Sequence, residues 1–79
     1  MMEQTEYPMQ LYTGEGFEGY AGTDIEAYLL GVYGRPRVAD FRNWINGQTR
    51  VGIERDGYTI GIVYRWDFER YMARLPVID

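Results

Sequence analysis

The chain has 79 residues, 13 of them aromatic, no cysteine and a formal charge of −4. That length excludes a second core, since so short a chain buries only about 60% of its unfolded surface, and without thiols neither a disulfide nor a thiolate metal site can support the first. His, Lys and Ser are also absent, which removes the commonest general base, the Schiff-base amine, the phosphate-binding lysine and the usual nucleophiles, and leaves carboxylates, Tyr, Thr and Arg for any chemistry.

The N-terminus, Met1 to Glu6, has no basic region followed by an apolar stretch, and no run approaches the length of a membrane span. The expectation is a soluble, cytoplasmic protein with no membrane partner. Residues 1–22 read as a strand followed by a flexible acidic loop. Pro8 to Thr13 alternates, with Met9 and Leu11 on one face and Gln10 and Tyr12 on the other. Gly14 to Gly22 holds four glycines, too flexible for an element and too long for a tight hairpin.

Residues 23–46 read as a pair of helices. Thr23-Asp24-Ile25-Glu26 has the form of a capping box, so the first helix is expected from Asp24. Its apolar face is Ile25, Tyr28, Leu29 and Val32, and Gly34 is placed to end it in a left-handed conformation. Pro36 suits the first turn of the second helix, with Val38, Phe41 and Ile45 inward, Trp44 widening the stripe and Gly47 just past the end. The short Gly34-Arg35 joint implies an angled or antiparallel pair.

Residues 49–65 read as a β-hairpin. Asp56-Gly57 tolerates the positive φ of a type I′ turn between two alternating segments, Thr49 to Arg55 and Tyr58 to Tyr64. A two-residue loop pairs Arg55 with Tyr58, Ile53 with Ile60 and Val51 with Ile62, so those four aliphatics form the expected buried face. Gly52 then lies opposite Gly61 on the other face, beside Arg50, Glu54, Thr59 and Val63. Bare backbone there admits close approach by a helix of the same domain, a bend in the ribbon, or a partner.

Residues 67–75 read as a short helix, capped by Asp67, with Phe68, Tyr71, Met72 and Leu75 inward and Pro76 as its stop. Val77-Ile78-Asp79 is a candidate edge strand. The fold class implied is a small single α+β domain, an antiparallel hairpin with an optional third strand packed against two to three short helices.

Charge is segregated along this chain. The first 34 residues carry six acids, Glu3, Glu6, Glu15, Glu18, Asp24 and Glu26, and no base; the remainder carries eight arginines and six acids, so −6 is followed by +2. A concentrated negative surface attracts a basic partner and steers it at long range. The candidate partner-binding residues are therefore Glu15, Phe17, Glu18, Tyr20, Asp24 and Glu26, the aromatics supplying anchors beside the carboxylates. Gly14-Glu15-Gly16-Phe17-Glu18-Gly19 has the spacing of a dinucleotide fingerprint, but Ala21-Gly22 interrupts the helix that fingerprint requires and two glutamates would repel a phosphate. No spacing of acids marks a metal site, so neither cofactor nor metal is expected. Arg35, Arg37, Arg42 and Arg50, with Phe41 and Trp44 among them, suit a protein interface or pairing with the acidic half better than direct nucleic-acid binding, given a pI near 4.7.

In size, charge, missing catalytic residues and α+β character, the whole chain resembles the small acidic inhibitors of phages and mobile elements, the anti-CRISPR proteins above all. That resemblance implies a non-enzymatic protein whose carboxylates stand in for nucleic-acid phosphates in a basic groove of a CRISPR effector, a basic ribonucleoprotein complex. Tyr12 and Tyr28 join Phe17 and Tyr20 as its candidate aromatic anchors. The alternatives are a small phage or plasmid accessory protein, homo-oligomeric as a structural or regulatory module, and a carboxylate-based hydrolase.

Overall fold

The computed structural model describes residues 7–73. The order of elements is β1 (Tyr12–Gly14), β2 (Phe17–Ala21), α1 (Gly22–Val32), α2 (Arg35–Ile45), β3 (Arg50–Arg55), β4 (Tyr58–Tyr64) and α3 (Arg65–Ala73). The fold is α+β: three helices and one four-stranded antiparallel sheet in the order β1-β2-β4-β3. Two hairpins are thus joined through the β2–β4 seam, and the α1–α2 pair forms the crossover between them.

The glycine-rich segment is not a loop. Glu15-Gly16 is a two-residue turn that pairs Gly14 with Phe17, and β2 continues through Ala21. Gly16 takes the positive φ, 81°, that the turn needs. The Phe17 ring lies over the Gly14 backbone, where a Cβ would stand 2.7 Å from Cζ, so the glycine is a seat for an aromatic ring. The apolar content of Phe17, Tyr20 and Ala21 outweighs the flexibility of the glycines between them, because two of the three are taken into the interior.

The start of α1 is set by the sheet. Ala21, still paired with Ile62, is the cap residue, no side chain bonds to the helix end, and the helix begins two residues before Asp24. The Thr23 capping box therefore does not form. Ile25 and Leu29 are buried as expected, whereas Val32, in the last turn beside exposed Leu30 and Tyr33, is 58% exposed. Gly34 has φ 98° but ψ −178°, an extended rather than a left-handed helical conformation. Its N–H reaches the carbonyls of Leu29 and Leu30 (3.1 and 3.0 Å) as the chain turns into α2. In α2, Pro36 occupies the first turn and Val38, Phe41 and Ile45 are buried.

The β3–β4 register is the one the turn dictates, Arg55 opposite Tyr58 through Val51 opposite Ile62, with Gly52 opposite Gly61. Asp56 and Gly57 have φ of 54° and 82°, as a type I′ turn requires. Burial departs from the expectation. The helices pack on the face that carries Val63 and Tyr20, which join Ile25, Leu29, Val38, Phe41, Ile45, Phe68 and Tyr71 in the core. Val51, Ile53, Ile60 and Ile62 occupy the opposite face, and of the four only Ile62 is fully buried. The glycine pair lies on the helix side but is exposed there: a Cβ on Gly22, in the first turn of α1, would stand 3.9 Å from the Gly61 carbonyl oxygen, whereas nothing lies within 4 Å of a Cβ on Gly61 itself.

α3 follows β4 without a connecting residue, so Asp67 sits inside its first turn and does not cap it. Asp67 is buried and accepts from Arg70 Nη2 (2.6 Å). Phe68 and Tyr71 face inward and Met72 packs partly against them. The expectations for Leu75, Pro76 and a strand at Val77-Ile78-Asp79 lie outside the described residues. Among those described, no helix is long and apolar enough to cross a membrane.

Candidate binding surface

The six partner-binding candidates do not share a surface. Glu15 is exposed at the β1–β2 turn, and Asp24 lies in the first turn of α1 at the other end of β2, about 20 Å away along the strand at roughly 3.3 Å per residue. Between them alternation sends Phe17 to one face of the sheet and Glu18 and Tyr20 to the other. Tyr20 is a core residue rather than an exposed anchor, with its ring edge-on to Phe68 (5.6 Å) and Tyr7 (6.1 Å). Nine residues of apolar content must be closed over by so small a sheet, and a tyrosine opposite Val63 fills that space.

Folding also draws the acidic and basic halves of the chain together. Glu18 lies 3.6 Å from Arg65, and Arg42 Nη2 donates to Glu26 (2.9 Å), a bond that raises the arginine pKa. Arg65 Nε donates as well to Glu69 (2.9 Å), again raising the arginine. Between residues 7 and 73 there are nine acids and seven arginines, a balance of −2. Those without an ion-pair partner among the described residues are Glu15, Asp24, Glu54 and Asp56 against Arg35, Arg50 and Arg55. The negative surface is reduced to separate carboxylates, two of them at the hairpin turns, which lie at opposite ends of the sheet.

A polar network joins α2 to α3. The Tyr71 hydroxyl donates to Asp40 Oδ2 (2.6 Å), and Arg37 Nη1 lies 3.7 Å from the same oxygen, with its guanidinium over the Tyr33 ring. Burial, and then the bond to Asp40, push the Tyr71 pKa up to about 12. A fully buried hydroxyl that holds its proton so tightly is a tie between α2 and α3, not a group offered to a substrate. Among the described residues, no three carboxylates gather where they could hold a metal ion.

Two features of the described surface bear on binding. One is a groove of about 610 Å³ beside α1 and α3, lined by Tyr7, Tyr28, Tyr33, Arg65 and Glu69; burial raises the pKa of Tyr7 and Tyr28 there. The other is the sheet face turned away from the helices. It carries Tyr12, Phe17, Val51, Ile53, Ile60 and Tyr64, all half-buried, around the fully buried Ile62. Arg55 on β3 and Tyr12 on β1 belong to opposite edges of the sheet, yet the guanidinium carbon stands 5.5 Å from the ring centre. The sheet therefore curls enough for side chains of its two edge strands to meet on this face. Tyr64 continues into a stack with Trp66 (4.8 Å), and Tyr58, 74% exposed, marks the far rim. The alternation of Val51, Ile53, Ile60 and Ile62 with Tyr12 and Phe17 signals this face in the sequence; of its four aliphatics, expected to be buried, only Ile62 is fully so.

The chain matches no family model, and comparison finds no similar curated protein and no similar solved structure.

Proposed function

We propose that this chain is a non-enzymatic protein-binding module, an inhibitor of the anti-CRISPR kind, that seats its concave sheet face on a basic partner. The observation that carries the reading is the aromatic and aliphatic surface from Tyr12 and Phe17 across to Ile53, Ile60 and Tyr64, with Tyr58 and Trp66 exposed at its rim. Exposed apolar surface rimmed by polar groups is typical of an interaction site, and Tyr and Trp are the residues that most often anchor one. The unpaired carboxylates Glu15 and Asp56 stand at the two turns that bound this face. There they favour a positively charged partner by steering rather than by replacing a continuous row of phosphates.

The test mixes purified protein with purified effector ribonucleoproteins of the main CRISPR types and reads complex formation by gel filtration and target-DNA binding by the effector. A stoichiometric complex that no longer binds target DNA is expected. Tyr58→Asp should weaken it at least tenfold, about 1.4 kcal/mol, and Glu15→Arg should weaken it more at low salt than at high salt, since exposed charges are screened within about 8 Å at physiological ionic strength. Neither change touches a packed group, so melting temperatures should stay put. Failure to bind any effector removes the anti-CRISPR assignment; a complex indifferent to Tyr58→Asp removes this surface. Turnover of a substrate by purified protein, abolished by one carboxylate-to-amide change, would falsify the non-enzymatic reading altogether.

A further inference from the structure

β3 is an edge. Among the described residues Arg50–Arg55 pairs with β4 on one side and with no strand on the other. The two-residue turn fixes which of its backbone groups point outward: Arg55 and Tyr58 close it as a hydrogen-bonded pair, and alternation along the ladder makes Ile53 with Ile60 and Val51 with Ile62 the next such pairs. The N–H and C=O groups of Arg50, Gly52 and Glu54 consequently face away from β4. Sheet edges of this kind are usually blunted by proline, a bulge or charged side chains; residues 50–55 contain no proline and no bulge, and their charges are those of Arg50, Glu54 and Arg55.

The side chains of this edge are complementary to themselves. Arg50 and Glu54 lie two residues to either side of Gly52, Val51 and Ile53 one residue to either side. We propose that two copies of the chain pair antiparallel through β3 about a twofold axis at Gly52, which joins their sheets into one of eight strands. In that register Gly52 meets Gly52 of the other copy, Arg50 meets Glu54 twice, and Val51 meets Ile53 twice.

The backbone phase, the charges and the apolar residues select the same alignment. The outward-facing groups of Arg50, Gly52 and Glu54 become the hydrogen-bonded pairs of the new ladder, whereas an axis between two residues would set outward groups against inward ones. An axis at Val51 keeps the phase but places Arg50 opposite Gly52 and Glu54 opposite Gln48, before the strand; an axis at Ile53 places Glu54 opposite Gly52 and Arg50 opposite Asp56, in the turn and outside the ladder. Both charged residues are exposed and have no ion-pair partner among the described residues. Charges that would keep two like edges apart are here opposite in sign at the related positions. Val51 and Ile53, half-buried on the concave face, fall in the non-hydrogen-bonded pairs, where side chains approach most closely. The contact is isologous and closes on itself, so it stops at a dimer. It uses the strand edge and does not rest on the function assigned to the concave face, although it sets two such faces side by side.

Sedimentation velocity from about 1 to about 500 µM tests the pairing, an interface of this small size being expected in the micromolar range. The native protein should dimerise. Arg50→Glu and Glu54→Arg should each raise the dimer Kd about tenfold, because each turns two attractive cross-strand pairs into repulsive ones. The double exchange should restore it, and an equimolar mixture of the two single variants should form a heterodimer tighter than either homodimer. Circular dichroism confirms that each variant is folded, and the mixture supplies the rescue within the same samples. A native protein monomeric over the whole range overturns the proposal, as does a dimer indifferent to the charge reversals or a mixture that gains nothing.

Discussion

Replacing Gly19 with alanine should be among the most damaging single-methyl additions this chain can receive, although the residue sits in a stretch whose composition suggests a pliable loop. Gly19 lies in the middle of β2, opposite Tyr64. A Cβ there would overlap the Val63 carbonyl oxygen and stand 2.8 Å from its carbon and 2.9 Å from Ile62 Cγ2. The obstruction is backbone, which cannot rotate aside, so the β2–β4 seam must open by something near 1 Å or β2 must shift. That seam has three paired positions, Gly19 with Tyr64, Tyr20 with Val63 and Ala21 with Ile62, and Tyr20 and Val63 are both in the core. Overpacking of this sort costs about 1 to 3 kcal/mol, and the rigid neighbour puts Gly19→Ala near 3. Against a total of about 4 to 12 kcal/mol for a domain of this size, the melting temperature should fall by about 12 to 24 °C. Gly61→Ala is the control: nothing lies within 4 Å of its Cβ position, and the loss should stay within about 0.5 kcal/mol. Thermal and urea unfolding followed by circular dichroism measure both. If Gly19→Ala melted with Gly61→Ala, the close approach of β2 to β4, and with it the two-hairpin sheet, would be refuted.

Two further outcomes follow from the packing and from the Tyr71 network. Ile62→Ala should cost about 3 kcal/mol in urea unfolding and Ile60→Ala about 1, since the first side chain is fully buried and the second only half; equal losses would mean that Ile62 is no better buried than Ile60. Tyr71→Phe should lose about 2 kcal/mol at neutral pH by removing a hydrogen bond to a carboxylate. Folding keeps Tyr71 protonated from its ordinary value of 10 up to about 12, so between those pH values the folded state binds more protons than the unfolded chain and stability falls as pH rises. The phenylalanine variant should show a shallower alkaline loss, with Tyr7 and Tyr28 sustaining the remainder, and an unchanged slope would separate Tyr71 from the titration.

The parts of the fold legible in the sequence are those fixed by local stereochemistry. Asp56-Gly57 sets the turn, the turn sets the register, and Arg55 through Val51 follow without reference to the rest of the chain. Pro36, Val38, Phe41 and Ile45 likewise define α2 from composition and spacing. What could not be read locally is which face of the hairpin the helices choose. Four aliphatics on one face of β3 and β4 outnumber the single Val63 on the other, yet the helices pack against Val63 because β2 supplies Tyr20 beside it. That contribution comes from residues 17–21, whose glycines hide the strand. A loop over residues 17–21 would leave Tyr20 exposed, whereas as part of β2 it is buried and is not available as a surface anchor.

Folding offsets much of the charge that is segregated along the chain. Six acids precede the first arginine, which in an extended chain is a negative segment and suggests a negative surface. In the folded chain β2 lies against β4 and α1 against α2, so segments that are far apart in sequence and opposite in sign become neighbours. Glu18 meets Arg65 and Glu26 meets Arg42. These are partly exposed, solvent-screened pairs that add little to stability, but their effect on recognition is larger, because a carboxylate already facing a guanidinium presents little net field to a partner. On the proposed function, affinity then comes from the uncharged part of the surface, the concave face, with Glu15 and Asp56 at its ends contributing orientation and on-rate. Salt should accordingly slow association while leaving the lifetime of a formed complex nearly unchanged, whereas Tyr58→Asp should shorten the lifetime. Kinetics of complex formation at two ionic strengths distinguish this division of labour from a phosphate-mimicking surface, for which salt would act on both rates.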